Sequence, residues 1–411
     1  MRKLTFAALV AALSLCVASG CTQKPDAAPT DVPVDIAEVQ SQVAGNSDFA
    51  VALYGQVRDK PGNVVFSPYS ISAALAMTYD GARGETARQM ADVLRFPADR
   101  KLLPPAFRDL NRKLAKHTDG FEMTLANALW GQKNFAFHAE FLDATREFYG
   151  AEMRQVDFID GRDAALKTIN DWVNRETRTK IPTILQPTDL SEDTRLVLTN
   201  AIYLKGQWAA AFDKQKTRDG DFHRTAKDTV RVPMMHRPES KFPYASVDGV
   251  EIVELPYRGN GAGMVVILPG PSNSPEELER TMTAGKLADW IGRLRPTDID
   301  VSLPRFKVEK ELRLNETLKK MGMTDAFAGA DFSGMTSAAR LFISAVIHKA
   351  VVEVDEEGTV AAAATAVVMR KDSKSGRVHF DANRPFLFLI RDRATESILF
   401  LGRVTDPTAA K

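Results

Sequence analysis

The stretch from Glu356 to Met369, EEGTVAAAATAVVM, constrains this chain more than any other. After Glu357 it holds no charge and no proline, only Gly, Ala, Thr, Val and a final Met. Thr359, Val360, Thr365, Val367 and Val368 are β-branched and suit an extended strand. The alanines bury little area, so the segment cannot anchor a core of its own. Side chains alternate along a strand, which puts Thr359, Ala361, Ala363, Thr365, Val367 and Met369 on one face. That whole face can be buried without stranding a charge. The run therefore fits a loop able to slide into a sheet. By composition alone it fits a flexible Ala-rich linker equally well.

At 411 residues the chain is long enough for one large domain or two ordinary ones. A hydrophobic share of 44% and a charged share of 26% are those of a globular protein, and 22 Phe supply ample core material. A net charge of +1 signals neither a nucleic-acid partner nor a strongly acidic one.

Residues 1–20 read as a signal peptide. Arg2 and Lys3 form a basic start, Leu4 to Val17 is nearly all apolar, and Ala18-Ser19-Gly20 is a small-residue cleavage site. The apolar run is too short to span a bilayer. Cys21 follows directly, which resembles a bacterial lipoprotein signal in which that Cys carries the lipid, although Ala18 stands where Leu is commoner. This reading puts the protein on a bacterial cell envelope, lipid-anchored through Cys21. Thr22 fits outer-membrane sorting. An ordinary secretory signal and a secreted protein are the alternative. The chain has 2 Cys, and Cys16 lies inside the signal, so the exported protein has no pair to bridge. Residues 21–45, rich in Pro, Asp, Ala and Gln, read as a flexible tether. From residue 46 to 411 the patterning is continuous, without repeat or second linker, and reads as one domain.

Helical patterns come first in that domain. Phe49, Leu53 and Val57 recur at helical spacing in 47–59. Ser67 reads as an N-cap, Pro68 as a first helical residue and Gly81 as the end of that helix. Met90 and Leu94 mark a helix over 85–94, and Leu166, Ile169, Trp172 and Val173 one over 163–178. Strand patterns follow at Arg195–Tyr203, Glu251–Leu255, Met264–Leu268, Ile299–Pro304 and Leu341–Val354. Phe386–Ile390 and Ile398–Leu401, joined by RDRATES, read as a closing hairpin. This order predicts an α+β fold with large, mostly antiparallel sheets.

Enzyme signatures are missing from the sequence. It contains no GxSxG, HExxH, CxxC or GxxxxGK[ST]. Gly259, Gly261 and Gly263 read as a hairpin turn, and the 6 His show no metal-ligand spacing. Nothing nominates a nucleophile with its base.

From about Asp48 to Pro407 the chain resembles the serpin family. The motifs that carry the resemblance are NVVFSPYSISAALAMTYDGARGET at 63–86, NDWVNRETRTKI at 170–181, LTNAIYLKGQW at 198–208 and VSLPRFKVEKELRLNETLKKMGM at 301–323. ADFSGM at 330–335, HKAVVEVDEEGT at 348–359 and NRPFLFLI at 383–390 complete the series in order.

The resemblance implies a serpin fold, about nine helices around three β-sheets with an exposed reactive-centre loop. It implies a suicide inhibitor of serine and some cysteine proteases, not an enzyme, acting as a monomer without cofactor or metal and bonded covalently to its target. The hinge of the loop would be Glu356, Glu357, Gly358, Thr359, Val360, Ala361, Ala362, Ala363, Ala364 and Thr365. Neither proline nor inward charge interrupts it, as rapid insertion requires. Val360 stands where Glu is common, on the outward face. Counting from Gly358, the family's usual spacing puts the reactive bond between Asp372 and Ser373, with Lys371 and Arg370 as alternatives. Ser67, Ser70, Asn200 and His348 match the family's shutter. Trp208 and Arg305 match the breach at the top of the sheet, where Arg305 is expected to pair with Glu356. A non-inhibitory serpin-fold protein whose loop is only a protease substrate is the alternative.

Overall fold

The computed structural model describes residues 36–115, 120–270, 273–337, 341–359 and 377–409. Among these residues there are nine α-helices and two hydrogen-bonded sheets, an α+β fold. The first helix, Ile36–Val57, starts well before the segment the sequence marks. The last ten residues read as tether are therefore helical, and Val39 and Val43 within them are buried. The reason is visible in retrospect: Val39 and Val43 are four apart and continue the stripe of Phe49, Leu53 and Val57.

Helix Pro68–Gly81 follows its sequence signals. The Ser67 side chain accepts from the Ser70 N–H, and Pro68 fills the first turn where its missing N–H costs nothing. Small residues let this helix lie deep beneath the sheet, and every one of its residues except Asp80 is buried. Its serines are consequently buried too and need partners.

The six-stranded sheet runs in the order Phe306–Arg313, Ile343–Val354, Gly358–Thr359, Leu196–Gln207, Phe121–Gln132, Met153–Val156. Most pairs are antiparallel. Ile343–Val354 and Leu196–Gln207, however, run parallel, from Ile343 beside Leu196 to Val351 beside Tyr203. One face of both strands (Leu196, Leu198, Ile202 and Leu204 with Ile343, Val346, Ala350 and Val352) packs into the main core. The other face, with Val197, Ala201, Ile347 and Val351, packs in a second cluster with Ile169, Trp172 and Val173 of helix Arg162–Glu176.

The second sheet has nine strands. The second and third sheets that the resemblance implies are here continuous through one strand, Asp228–Val247, of 20 residues. It pairs with Arg218–Thr225 at its start, Arg295–Pro304 along its middle and Val250–Pro256 at its end. A bulge between Arg237 and Ser240, with Glu239 at φ 54°, bends it between the two halves. Pro233, Pro238 and Pro243 hide this strand from sequence pattern, since proline ordinarily argues against one. Gly259 and Asn260 turn the chain between Val250–Pro256 and Ala262–Pro269, both at positive φ, as a hairpin connection requires.

Candidate functional site

The parallel pair ends at Val351 and Tyr203, and beyond it the two strands part. Into that fork the chain turns back on itself. The Asp355 N–H donates to the Gly358 carbonyl at 2.9 Å, and the Asp355 carboxylate accepts the Glu357 and Gly358 N–H groups at 2.9 and 3.1 Å. Burial raises the Asp355 pKa, opposed by those two N–H groups. Gly358 and Thr359 then form a short strand between Val354 on one side and Gly206–Gln207 on the other, antiparallel to both. Gly358 sits at φ 154°, and a Cβ there would lie 1.8 Å from the Gly206 carbonyl oxygen, so only glycine fits.

Three backbone carbonyls of the loop base are caught by the segment after Leu196–Gln207. The Trp208 N–H donates to Glu357 O at 2.9 Å, its indole Nε1–H to Asp355 O at 2.9 Å, and the Phe212 N–H to Glu356 O at 2.8 Å. The Glu356 carboxylate is buried and accepts from Arg305 Nε at 2.8 and 2.9 Å and from the Thr217 hydroxyl at 2.5 Å. Burial alone would raise its pKa. The Arg305 and Thr217 hydrogen bonds outweigh that and leave it lowered. Glu357 pairs with Lys214 at the surface. Thr359 is fully buried, with its hydroxyl 2.7 Å from that of Tyr257.

Further along the parallel pair lies a buried polar cluster. His348 stands opposite Asn200 in the register, and Asn200 opposite Asn127 on the next strand. The Ser67 N–H donates to His348 Nε2 at 3.1 Å, so the proton of the neutral ring sits on Nδ1 and points to Asn200 Oδ1. Complete burial pushes the His348 pKa down to about 3, against the opposing hydrogen bond to Asn200. Asn200 Nδ2 donates to the Ser70 carbonyl at 2.8 Å and the Ser70 hydroxyl at 2.5 Å, and also contacts Asn127 Oδ1. The cluster thus joins the sheet to helix Pro68–Gly81 where the sheet is still closed.

The structure brings Ser67, Ser70, Asn200 and His348 into one network, and Trp208, Arg305, Glu356, Glu357, Gly358 and Thr359 into another. Val360, Ala361, Ala362, Ala363, Ala364, Thr365, Arg370, Lys371, Asp372, Ser373 and Cys21 lie outside the described residues. Asn127, Thr217 and Tyr257 belong to these networks without any sequence signal, because each meets partners remote in the chain. No group of His, Cys, Asp and Glu among the described residues is arranged to hold a metal.

Comparison with known proteins agrees with this architecture. The family model described as Serpin (serine protease inhibitor) matches residues 44–407. The chain belongs to the serpin family. Serpin B3 of Homo sapiens is 40% identical over 384 residues, covering 88% of this serpin and 98% of the relative. The leukocyte elastase inhibitor of Bos taurus is 40% identical over 378 residues, covering 89% and 99%. Among solved structures, human thyroxine-binding globulin superposes with a TM-score of 0.83 at 33% identity, covering 90% of this serpin and 100% of that chain.

Proposed function

We propose that this serpin is a suicide-substrate inhibitor of serine proteases, with cysteine proteases as a further target class. The observation that carries the reading is the short strand Gly358–Thr359, antiparallel to both neighbours, in the fork of a parallel pair. A fork of that kind admits the rest of the run once the parallel ladder below it opens. Continued one for one from Thr359 opposite Gly206, the register brings Ala361 opposite Leu204, Thr365 opposite Asn200 and Met369 opposite Leu196. Continued from Thr359 opposite Val354, it brings Thr365 opposite His348. The two extrapolations agree, because His348 and Asn200 are themselves paired. Thr359, Ala361, Ala363, Thr365, Val367 and Met369 then face the main core, and Val360 and Val368 the helix Arg162–Glu176. Insertion replaces one parallel ladder with two antiparallel ones, which are the more stable kind.

The chemistry belongs to the protease. Its serine hydroxyl attacks the carbonyl of Asp372, or of Lys371 or Arg370 in a shorter register. The amide to the next residue breaks, the new amine leaves with a proton, and an ester joins the loop to the enzyme. Release of the cut end frees residues 360 onward to enter the sheet, carrying the protease with them before water completes hydrolysis. About fifteen extended residues cover about 50 Å, enough to move it from one end of the sheet to the other. The uncut fold is then a kinetic trap above the inserted one. The His348–Asn200 hydrogen bond is a bar across the path, since Thr365 must come between them.

A protease panel tests this. A complex that survives SDS, together with a released C-terminal peptide beginning at Ser373, is the expected result. Clipping without complex would leave the non-inhibitory alternative, which the likeness to thyroxine-binding globulin favours. The proposal extends to location: residues 1–20 are a leader and Cys21 carries a lipid that holds the protein on a bacterial envelope, at the outer membrane. Cys21→Ala should move the protein from the membrane to the soluble fraction; retention in the membrane would refute the anchor.

A further inference from the structure

We infer that Tyr257 is a positioning residue that seats Thr359, the side chain of the short strand Gly358–Thr359 that faces the core, in the sheet before any cleavage. This rests on the inhibitor reading for its consequence, though not for its geometry. The Tyr257 hydroxyl lies 2.7 Å from Thr359 Oγ1, and both residues are fully buried. Neither hydroxyl has access to water, so each depends on the other to offset the cost of its burial.

Tyr257 is fixed by parts of the fold other than the loop. Its ring lies flat on Trp208, 4.8 Å between centroids and 7° between planes, and tilts against Phe121 at 5.3 Å. Its N–H donates to Ala262 O at 3.0 Å across the hairpin turn. Gly206, the strand partner of Thr359, leaves room for the ring: a Cβ there would come within 2.6 Å of it. The tyrosine is thus a preset post, and Thr359 is the movable half of the pair. Burial holds the phenol firmly protonated, so it keeps its capacity to donate.

The consequence is kinetic. The Tyr257–Thr359 bond is made in the seated uncut state and kept during insertion. Without it the hinge can leave the fork, and insertion must begin by putting it back. The cut loop then loses time to hydrolysis, and more protein ends clipped instead of complexed. A net hydrogen bond corresponds to about fivefold in this equilibrium.

The test uses Y257F, T359V, the double variant and T359S in the full-length uncut protein. Hydrogen exchange of the peptide over 355–360 reads the seating. The ratio of SDS-stable complex to clipped product reads the consequence. Y257F and T359V should each speed exchange and shift the ratio toward clipping, by up to about fivefold. The double variant should be no worse than either single, since both remove one bond, and T359S should restore both readouts. A merely structural tyrosine would instead give additive losses and no rescue. Exchange at the wild-type rate in both single variants overturns the inference. If the wild type forms no complex with any protease, the inhibitor reading falls, while the exchange arm still decides whether Tyr257 seats the hinge. Should Y257F fail to fold, T359V interrogates the same bond from the loop side.

Discussion

His348 and Asn200 stand directly opposite each other on the two parallel strands, joined from the imidazole Nδ1–H to the amide Oδ1. The same ring accepts the Ser67 N–H on its other nitrogen, which ties both strands to helix Pro68–Gly81. A neutral histidine is what this arrangement needs, because a second ring proton would point at a donor. The sheet is therefore closed by a group whose charge state depends on pH.

Burial lowers the folded His348 pKa to about 3, below the ~6.5 of an unfolded histidine. Between those values the unfolded chain takes up a proton that the native one refuses. The stabilisation is complete above ~6.5 and declines as pH falls, by ~1.4 kcal/mol per unit, so ~2 kcal/mol is lost by pH 5. Urea unfolding midpoints of the uncut protein at pH 7 and 5 should record this. In His348→Gln that part of the slope should vanish; an identical slope in the variant would show that the acid sensitivity lies elsewhere.

Thr359→Arg should abolish complex formation while leaving the loop cleavable. Thr359 is fully buried against Tyr257 and Gly206, and a guanidinium there would be buried without a counter-charge. Gel analysis after incubation with a reactive protease should show clipped protein in place of the SDS-stable band. Complex formed at wild-type yield would mean that insertion does not pass through this fork.

Nicking the loop should raise the melting temperature. Residues 360 to 369 would gain ladder hydrogen bonds on both sides, each worth ~1 kcal/mol net, and the parallel pairing of Leu196–Gln207 with Ile343–Val354 would give way to two antiparallel ladders. A rise above ~10 °C is expected by calorimetry after limited proteolysis. A nicked protein that melts at or below the uncut temperature would exclude insertion.

Arg305→Ala should loosen the base of the loop. It removes the forked hydrogen bonds to the buried Glu356 carboxylate and leaves Thr217 as its side-chain donor, at a cost of ~2 kcal/mol locally. Glu356, whose pKa the arginine helps to lower, contributes stability above the usual carboxylate range that is lost as pH falls. The variant should show faster exchange over 355–359 and a weaker acid dependence of that exchange. Arg305→Lys, which keeps charge without the fork, should fall between the two.

Much of the fold is legible locally. Ser67, Pro68 and Gly81 bound a helix as their capping chemistry requires. The strand marked at Arg195–Tyr203 runs instead over Leu196–Gln207, because Leu204 continues the core face and Gly206 pairs with both Phe121 and Thr359. Two kinds of element escape such a reading. Asp228–Val247 carries prolines that argue against a strand, and only its several partners and its bulge make it one. Asn127, Thr217 and Tyr257 look ordinary in the chain, and their roles come from neighbours 73, 139 and 102 residues away.

The amino-acid order alone determined what each segment is able to do: a capped helix of small residues, alternating strands, and a run free of charge and proline that a sheet can accept. Those are short-range properties, set by backbone preference and by the cost of burying charge. Which strands border the gap, that they run parallel, and that Thr359 already occupies its mouth were decided by tertiary structure. Pairing between Leu196–Gln207, Ile343–Val354 and the loop base depends on long-range register, and register is settled only when both faces of the sheet are packed.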